Sequence, residues 1–223
     1  MSSAATIEAF DAECLALTRV LQPLTSEDLM RPTNCPPWTL HELVVHIADS
    51  IRLPDAGRAP SPNVLPPGSA ADYYRRPERD SVEYRVGNVE RTRQSAAKIP
   101  PDASPALFND VWQRTSHTLK RSNLDQRIDA AGRAITLEKY VLTRLMSVAA
   151  HGLDVAITLS RPAWTTRAAL RALRPVLVDL LSEDPPLDWT DLDLLELGTG
   201  RRPLTAAESE MVGPLAARFP LLS

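Results

Sequence analysis

The chain has 223 residues, 43% of them hydrophobic, enough for one large core or for one domain with a small appendage. A net charge of −3 with both signs interspersed provides no basic block to track a phosphate backbone, so nucleic acid is excluded as an expected partner. Cys14 and Cys35 make neither a disulfide framework nor a Cys-x-x-Cys metal pair, and no run approaches the ~18 apolar residues of a membrane span. The N-terminus lacks a charged stretch followed by an apolar one, so the expected setting is cytoplasmic, with reduced thiols and no membrane.

Residues 4–22 carry Ile7, Phe10, Cys14, Leu17 and Leu21 at three-four spacing, which predicts an amphipathic helix with Cys14 as inert core. Ser26-Glu-Asp-Leu-Met reads as a short capped turn, followed by a proline-stiffened loop, Arg31 to Trp38. Thr39 with Glu42 forms a capping box that opens a helix over 40–53, buried through Leu40, Leu43, Val44, Ile47 and Ile51. His46 falls at the border of that face, with Asp49 three residues on. Prolines and glycines from Pro54 to Pro77 exclude regular elements over 54–80, a stretch expected to be a lid, a binding loop or a disordered insertion.

Helical character returns over about 81–98 and again over about 105–121. Gly132 suggests a turn or short hairpin before Thr136 caps a helix over 137–159. Beyond Arg161 a helix is expected near 166–182, kinked or restarted at Pro175. Another runs from Thr190 to Leu197, and a last one over 206–218 is opened by Thr205 and Glu208. Four long helices without alternating strands between them predict an all-α four-helix bundle over 1–160, with 161–223 docked on it as a small helical extension.

The segment 136–160 carries two stripes side by side. Val141, Leu145, Val148, Gly152, Val155 and Leu159 make the apolar one, and Arg144, Ser147, His151 and Asp154 make a polar one on nearly the same face. Buried polar groups without partners cost about 1–3 kcal/mol each, so this helix must line a cavity, hold a metal, or satisfy its polar groups internally. Of the four histidines, His41, His46, His117 and His151, the pair His46 and His151 lies on helices that a bundle makes adjacent. Neutral imidazoles there suit either a divalent metal or hydrogen-bonded packing.

Cys35-Pro-Pro-Trp-Thr-Leu-His-Glu-Leu-Val-Val-His-Ile-Ala-Asp resembles the first signature of the mycothiol-dependent maleylpyruvate isomerase family, a branch of the DinB-like metal-binding four-helix bundles. Arg144-Leu-Met-Ser-Val-Ala-Ala-His-Gly-Leu-Asp resembles its second signature, and residues 194–205 with 218–223 look like the tail of many members. The resemblance implies a divalent metal, usually zinc, held by His46, by His151 and by a Glu at the position of Ser147, with mycothiol as the thiol it activates. Here the sequence departs from the pattern, because a neutral serine is a poor zinc ligand. Asp49 could supply the missing carboxylate, water could fill the place, or the metal is gone.

If the metal is kept, at His46, His151 and Asp49, the chain is an isomerase or thiol transferase acting on a small electrophile. Arg144, with Arg75, Arg76, Arg79 and Arg85 from the loop region, would then suit a carboxylate-bearing substrate, although loop arginines also read as solvated surface. If the metal is lost, His46 and His151 act as a general acid/base pair, oriented by Ser147 and Asp154, in an isomerase, cyclase or lyase. The third possibility is a non-catalytic bundle with a filled cavity. Arg144, Ser147 and His151 are the expected catalytic residues. Asp154 also reads as a structural ion pair, Trp38 as a packing staple, and Cys35 as structural. The expected partner is a small molecule, and the chain acts as a monomer or homodimer.

Overall fold

The computed structural model describes residues 3–53, 68–130 and 133–222. Helices α1 (Ser3–Leu21), α2 (Ser26–Leu29), α3 (Leu40–Ser50), α4 (Val82–Ala96), α5 (Ser104–Leu119) and α6 (Leu137–Thr158) precede a helical tail of α7 (Arg167–Leu181), α8 (Asp191–Gly198) and α9 (Ala206–Val212). Strands β1 (Arg127–Ala130) and β2 (Arg133–Thr136) form an antiparallel hairpin directly before α6. The turn expected at Gly132 and the stretch 54–67 lie outside the described residues.

The bundle closes as a ring: α1 packs on α5 and α6, and α3 packs on the same two helices from the other side. Phe10, Leu17, Leu43, Ile47, Phe108 and Leu145 fill its centre fully buried. Each contributes about 1.5–3 kcal/mol by leaving water. The helix starts follow local chemistry. Thr39 with Glu42, Thr190 with Asp193 and Thr205 with Glu208 are reciprocal capping boxes, and Thr136 caps α6.

The region 81–121 is two helices, of which α5 belongs to the ring and α4 lies outside it against α3. Helix α4 has a weak apolar face; Val82 and Val86 remain exposed while Thr92 and Ala96 are buried. A cavity opens beside it for that reason.

Several expected boundaries shift. Helix α3 ends at Ser50, short of 53, because Leu53 precedes Pro54 and a residue before proline is pushed out of the helical region. Helix α7 crosses Pro175 unbroken; Pro175 is exposed, as is Arg171, whose carbonyl loses its partner there, so water can satisfy it. The last helix stops at Val212, where Gly213 (φ +55°) and Pro214 divert the chain into a 3-10 turn over 213–218. Within the stretch expected to lack regular elements, residues 68–80 are ordered: Ala70 and Ala71 are buried in the core and Pro77–Asp80 is a 3-10 turn. Apolar Ala70, Ala71, Tyr73 and Tyr74 hold this segment down against the prolines around it.

The tail packs on the bundle through α7 against α1 and α6. Buried Glu13 of α1 accepts hydrogen bonds from the backbone N–H and hydroxyl of Thr166, both at 2.8 Å, which ties the start of α7 to α1. Among the described residues, α6 is the one helix long and apolar enough to cross a bilayer, and 67% of its most apolar window is buried inside the protein.

Candidate active site

A cavity of about 850 Å³ lies between α3, α4 and α6 and is lined by Arg144, Ser147, His151 and Asp154, the whole polar stripe of α6. The loop before α3 forms one wall. Thr33 binds the carbonyl of Trp38 through its N–H and its hydroxyl, and the N–H of Leu40 reaches the carbonyl of Arg31, so the loop is closed on itself. That closure sets Asn34 and Cys35 over the end of the stripe and lays Trp38 against His46, ring centroids 4.6 Å apart. Trp38 is therefore both packing and cavity wall, and its buried indole N–H has no partner among the described residues.

His46 and His151 meet edge-to-face, ring centroids 5.1 Å apart. Burial lowers the pKa of His46 to about 3, helped by the charges of His151, Arg144, Arg79 and Arg91, so this ring is neutral at physiological pH. Its Nδ1 lies 3.3 Å from the hydroxyl of Thr92 on α4. His151 Nδ1 is 2.8 Å from Asp154 Oδ2. Asp154 is fully buried and also accepts from Asn34 at 2.8 Å and from Arg201 at 3.0 and 2.6 Å. Burial pushes its pKa up, but the hydrogen bonds and charges of His151 and Arg201 outweigh that and hold it well below the usual carboxylate range. Asp154 thus stays ionised. It is an ion-pair member, as one expectation had it, and also the orienting partner of His151.

Arg144 enters the cavity wall at the other end of the stripe. It donates to the carbonyl of Ser50 at 2.8 Å and to the Thr143 hydroxyl at 3.1 Å, and its guanidinium lies 4.6 Å from the Tyr140 ring centre and 5.1 Å from that of Tyr73. Among the described residues no carboxylate pairs with it. Burial lowers its pKa, but Tyr140, Tyr73 and Tyr74 more than reverse that, so it remains a cation. Tyr73 in turn is pushed up by burial and pulled down further by Arg144, Arg76 and Arg79, which leaves its phenol below the ordinary value of 10.

Most of the remaining expected site residues also reach the cavity, each with partners of its own. Ser147 shares a hydrogen bond with Ser50 at 3.0 Å. Asp49 also lines the cavity, from the exposed edge of α3, with its carboxylate 3.2 Å from the Arg52 guanidinium. Arg79 and Arg85 line the cavity, Arg79 over the rings of Tyr73, Tyr74 and Tyr84. Arg75 pairs instead with Asp72 and Asp179, and Arg76 is buried over Tyr73 rather than solvated. The thiol of Cys35 is pushed up to about 12, first by burial and then by Asp154, so it is no nucleophile at neutral pH.

The chemistry of these side chains does not fit a divalent ion. Two imidazoles face each other, but the third position offers the neutral hydroxyl of Ser147, already bonded to Ser50. The arginines that depress His46 would oppose a doubly charged ion more strongly still. A second candidate, Cys35, His151 and Asp154, brings its ligand atoms within 4.8 Å of one another. There each Asp154 oxygen already accepts two donors, and the Arg201 cation occupies the carboxylate.

Such a helical ring, with a cavity set beside it and a polar stripe of one core helix facing in, defines a DinB-like bundle. The chain belongs to the family described as the mycothiol maleylpyruvate isomerase N-terminal domain, whose model matches residues 10–156. Searches of curated proteins and of solved structures return no match. Sequence reasoning placed the α6 stripe and His46 but missed Arg201, Asn34, Thr92 and the tyrosines around Arg144. The signal for Arg201 was present in the Gly198-Thr-Gly-Arg turn, whose glycines permit a close approach. The open cavity also runs against the expectation, under the non-catalytic reading, that side chains fill it.

Proposed function

We propose that the protein is an isomerase or thiol transferase of the mycothiol type, acting on a small electrophile that bears a carboxylate, with His151 and Asp154 in place of a metal as the activating group. The observation that carries this is the pairing, on one helix face, of a buried guanidinium without a carboxylate partner among the described residues with an imidazole whose Nδ1 is held by an ionised aspartate. Arg144 anchors the substrate carboxylate by a two-pronged contact. His151 takes the thiol proton at Nε2, and Asp154 stabilises the imidazolium that results. The thiolate adds to the electrophilic carbon, and negative charge developing on the conjugated oxygen faces Arg144 and Tyr73. In isomerisation the thiolate then leaves and the proton returns to it. In transfer, His151 delivers the proton to the adduct.

The family's association with mycothiol supports the thiol as cosubstrate, and the donor set above supports activation without zinc. The test uses protein stripped of metal with a chelator and then assayed with mycothiol and an α,β-unsaturated carboxylate, with and without zinc. Adduct or isomer formation that requires His151 and is unchanged by zinc is expected. Turnover that appears only with zinc, or that survives His151→Gln, overturns the mechanism. A thiol-independent acid/base enzyme is the second reading, favoured by the neutral His46 ring facing His151. It requires turnover of the carboxylate in the arm without thiol.

A further inference from the structure

Asp154 receives half of its hydrogen bonds from a residue 47 positions further along the chain, outside the matched region 10–156. Arg201 addresses both carboxylate oxygens as a fork, Nε to Oδ1 at 3.0 Å and Nη2 to Oδ2 at 2.6 Å. Its other groups are tied down too: Nη1 donates to the carbonyl of Thr199, and the backbone N–H donates to Glu196 at the end of α8. Gly200 before it takes φ +72°, and a Cβ there would lie 3.1 Å from Pro220. That turn needs glycine because the chain end folds back over it; the Leu222 N–H reaches the carbonyl of Gly198. The guanidinium is thus fixed by its own local structure and brought rigid to the buried acid.

We propose that Arg201 is the positioning residue of the His151–Asp154 pair, fixing the carboxylate so that it accepts a hydrogen bond from Nδ1–H of His151 and leaves Nε2 bare toward the cavity. This rests on the acid/base role given to His151 above. It makes the helical tail a part of the site instead of a cover for the bundle. Without the fork, the buried carboxylate would keep, among the described residues, Asn34, the Cys35 thiol and the imidazole. The ring would then have to neutralise it by taking a second proton, or lose its fixed tautomer once the acid itself is protonated. Lysine at this position would restore charge but offer a single point of contact.

The tautomer is read directly from ring-nitrogen NMR of the full chain labelled with ¹⁵N-histidine, at one neutral pH, with His151→Gln to assign the signals. In its neutral form the wild-type ring is expected to carry its proton on Nδ1 alone. In Arg201→Met the neutral ring becomes a mixture of tautomers, and Arg201→Lys shows both tautomers while keeping the positive charge. A wild-type ring without the Nδ1 proton overturns the proposal, as does either variant retaining the wild-type pattern. The readout involves no substrate. Failure of mycothiol or carboxylate to bind the same samples counts against the proposed function alone.

Discussion

Replacing Arg144 by methionine removes the charge but keeps an unbranched apolar stem between the Tyr140 and Tyr73 rings, 4.6 and 5.1 Å from the guanidinium carbon. A hydrogen bond to a charged group is worth about 1.5–3 kcal/mol, so losing the carboxylate contact weakens binding roughly 10- to 150-fold at about 1.4 kcal/mol per factor of ten. Stability follows a different balance. The variant relieves a buried cation that has no carboxylate partner among the described residues, but it leaves the Ser50 carbonyl without its 2.8 Å donor, at a cost of about 1–3 kcal/mol. These terms oppose each other. At about 2–4 °C per kcal/mol for a chain of this size, the melting temperature of Arg144→Met should stay within a few degrees of wild type. The assay is calorimetric titration with a set of unsaturated carboxylates and their methyl esters, alongside a thermal melt. Wild type should prefer acid over ester, and the variant should not. Equal acid binding by both proteins, or a melting temperature lowered by ten degrees or more, would refute an anion anchor and make Arg144 a structural residue.

Ser147→Glu should create the zinc affinity that the present donor set lacks. Elemental analysis after zinc loading and dialysis should find about one ion per chain in the variant and little in wild type, whereas stoichiometric zinc in wild type that disappears in His46→Ala would contradict the fit argued here. On raising pH, a tyrosinate absorbance should appear below the ordinary value of 10 and be absent from Tyr73→Phe; a signal unchanged in that variant means the three arginines do not act on Tyr73 as described. Burial raises the pKa of Glu13, opposed by its bonds to Thr166. The folded state therefore holds the proton more tightly than the unfolded chain, and this group's contribution to stability falls as pH rises from the ordinary value of 4.5 through the raised one. Glu13→Gln should lose that part of the slope in melting temperature against pH, and an unaltered slope places the pH dependence elsewhere.

Much of the bundle was legible because its signals are local. Threonines followed three residues later by an acid start α3, α8 and α9, and periodic apolar residues mark the buried sides of α1, α3 and α6. The polar stripe of α6 was equally plain, since four residues at three-four spacing on an apolar helix already imply something to line. Family membership was legible for the same reason, as both signatures are continuous stretches of chain.

Tertiary structure alone decided what those residues meet. Periodicity says which face a side chain occupies but not which chain segment arrives opposite it. The sequence therefore left Asp154 free to be a structural ion-pair member or the orienting partner of a histidine, and left Asp49 free to be a ligand. Folding brings Asn34 from 120 positions away and Arg201 from 47 to the Asp154 carboxylate, while Asp49 stays at the cavity edge paired with its own neighbour Arg52. Helix α4 shows the same limit, since its weak apolar face could not say that α5 would take the place in the ring and leave a cavity behind. For a buried charge, the partner that desolvates together with it sets whether it is ionised. That partner is chosen by the packing of distant elements, which no local pattern records.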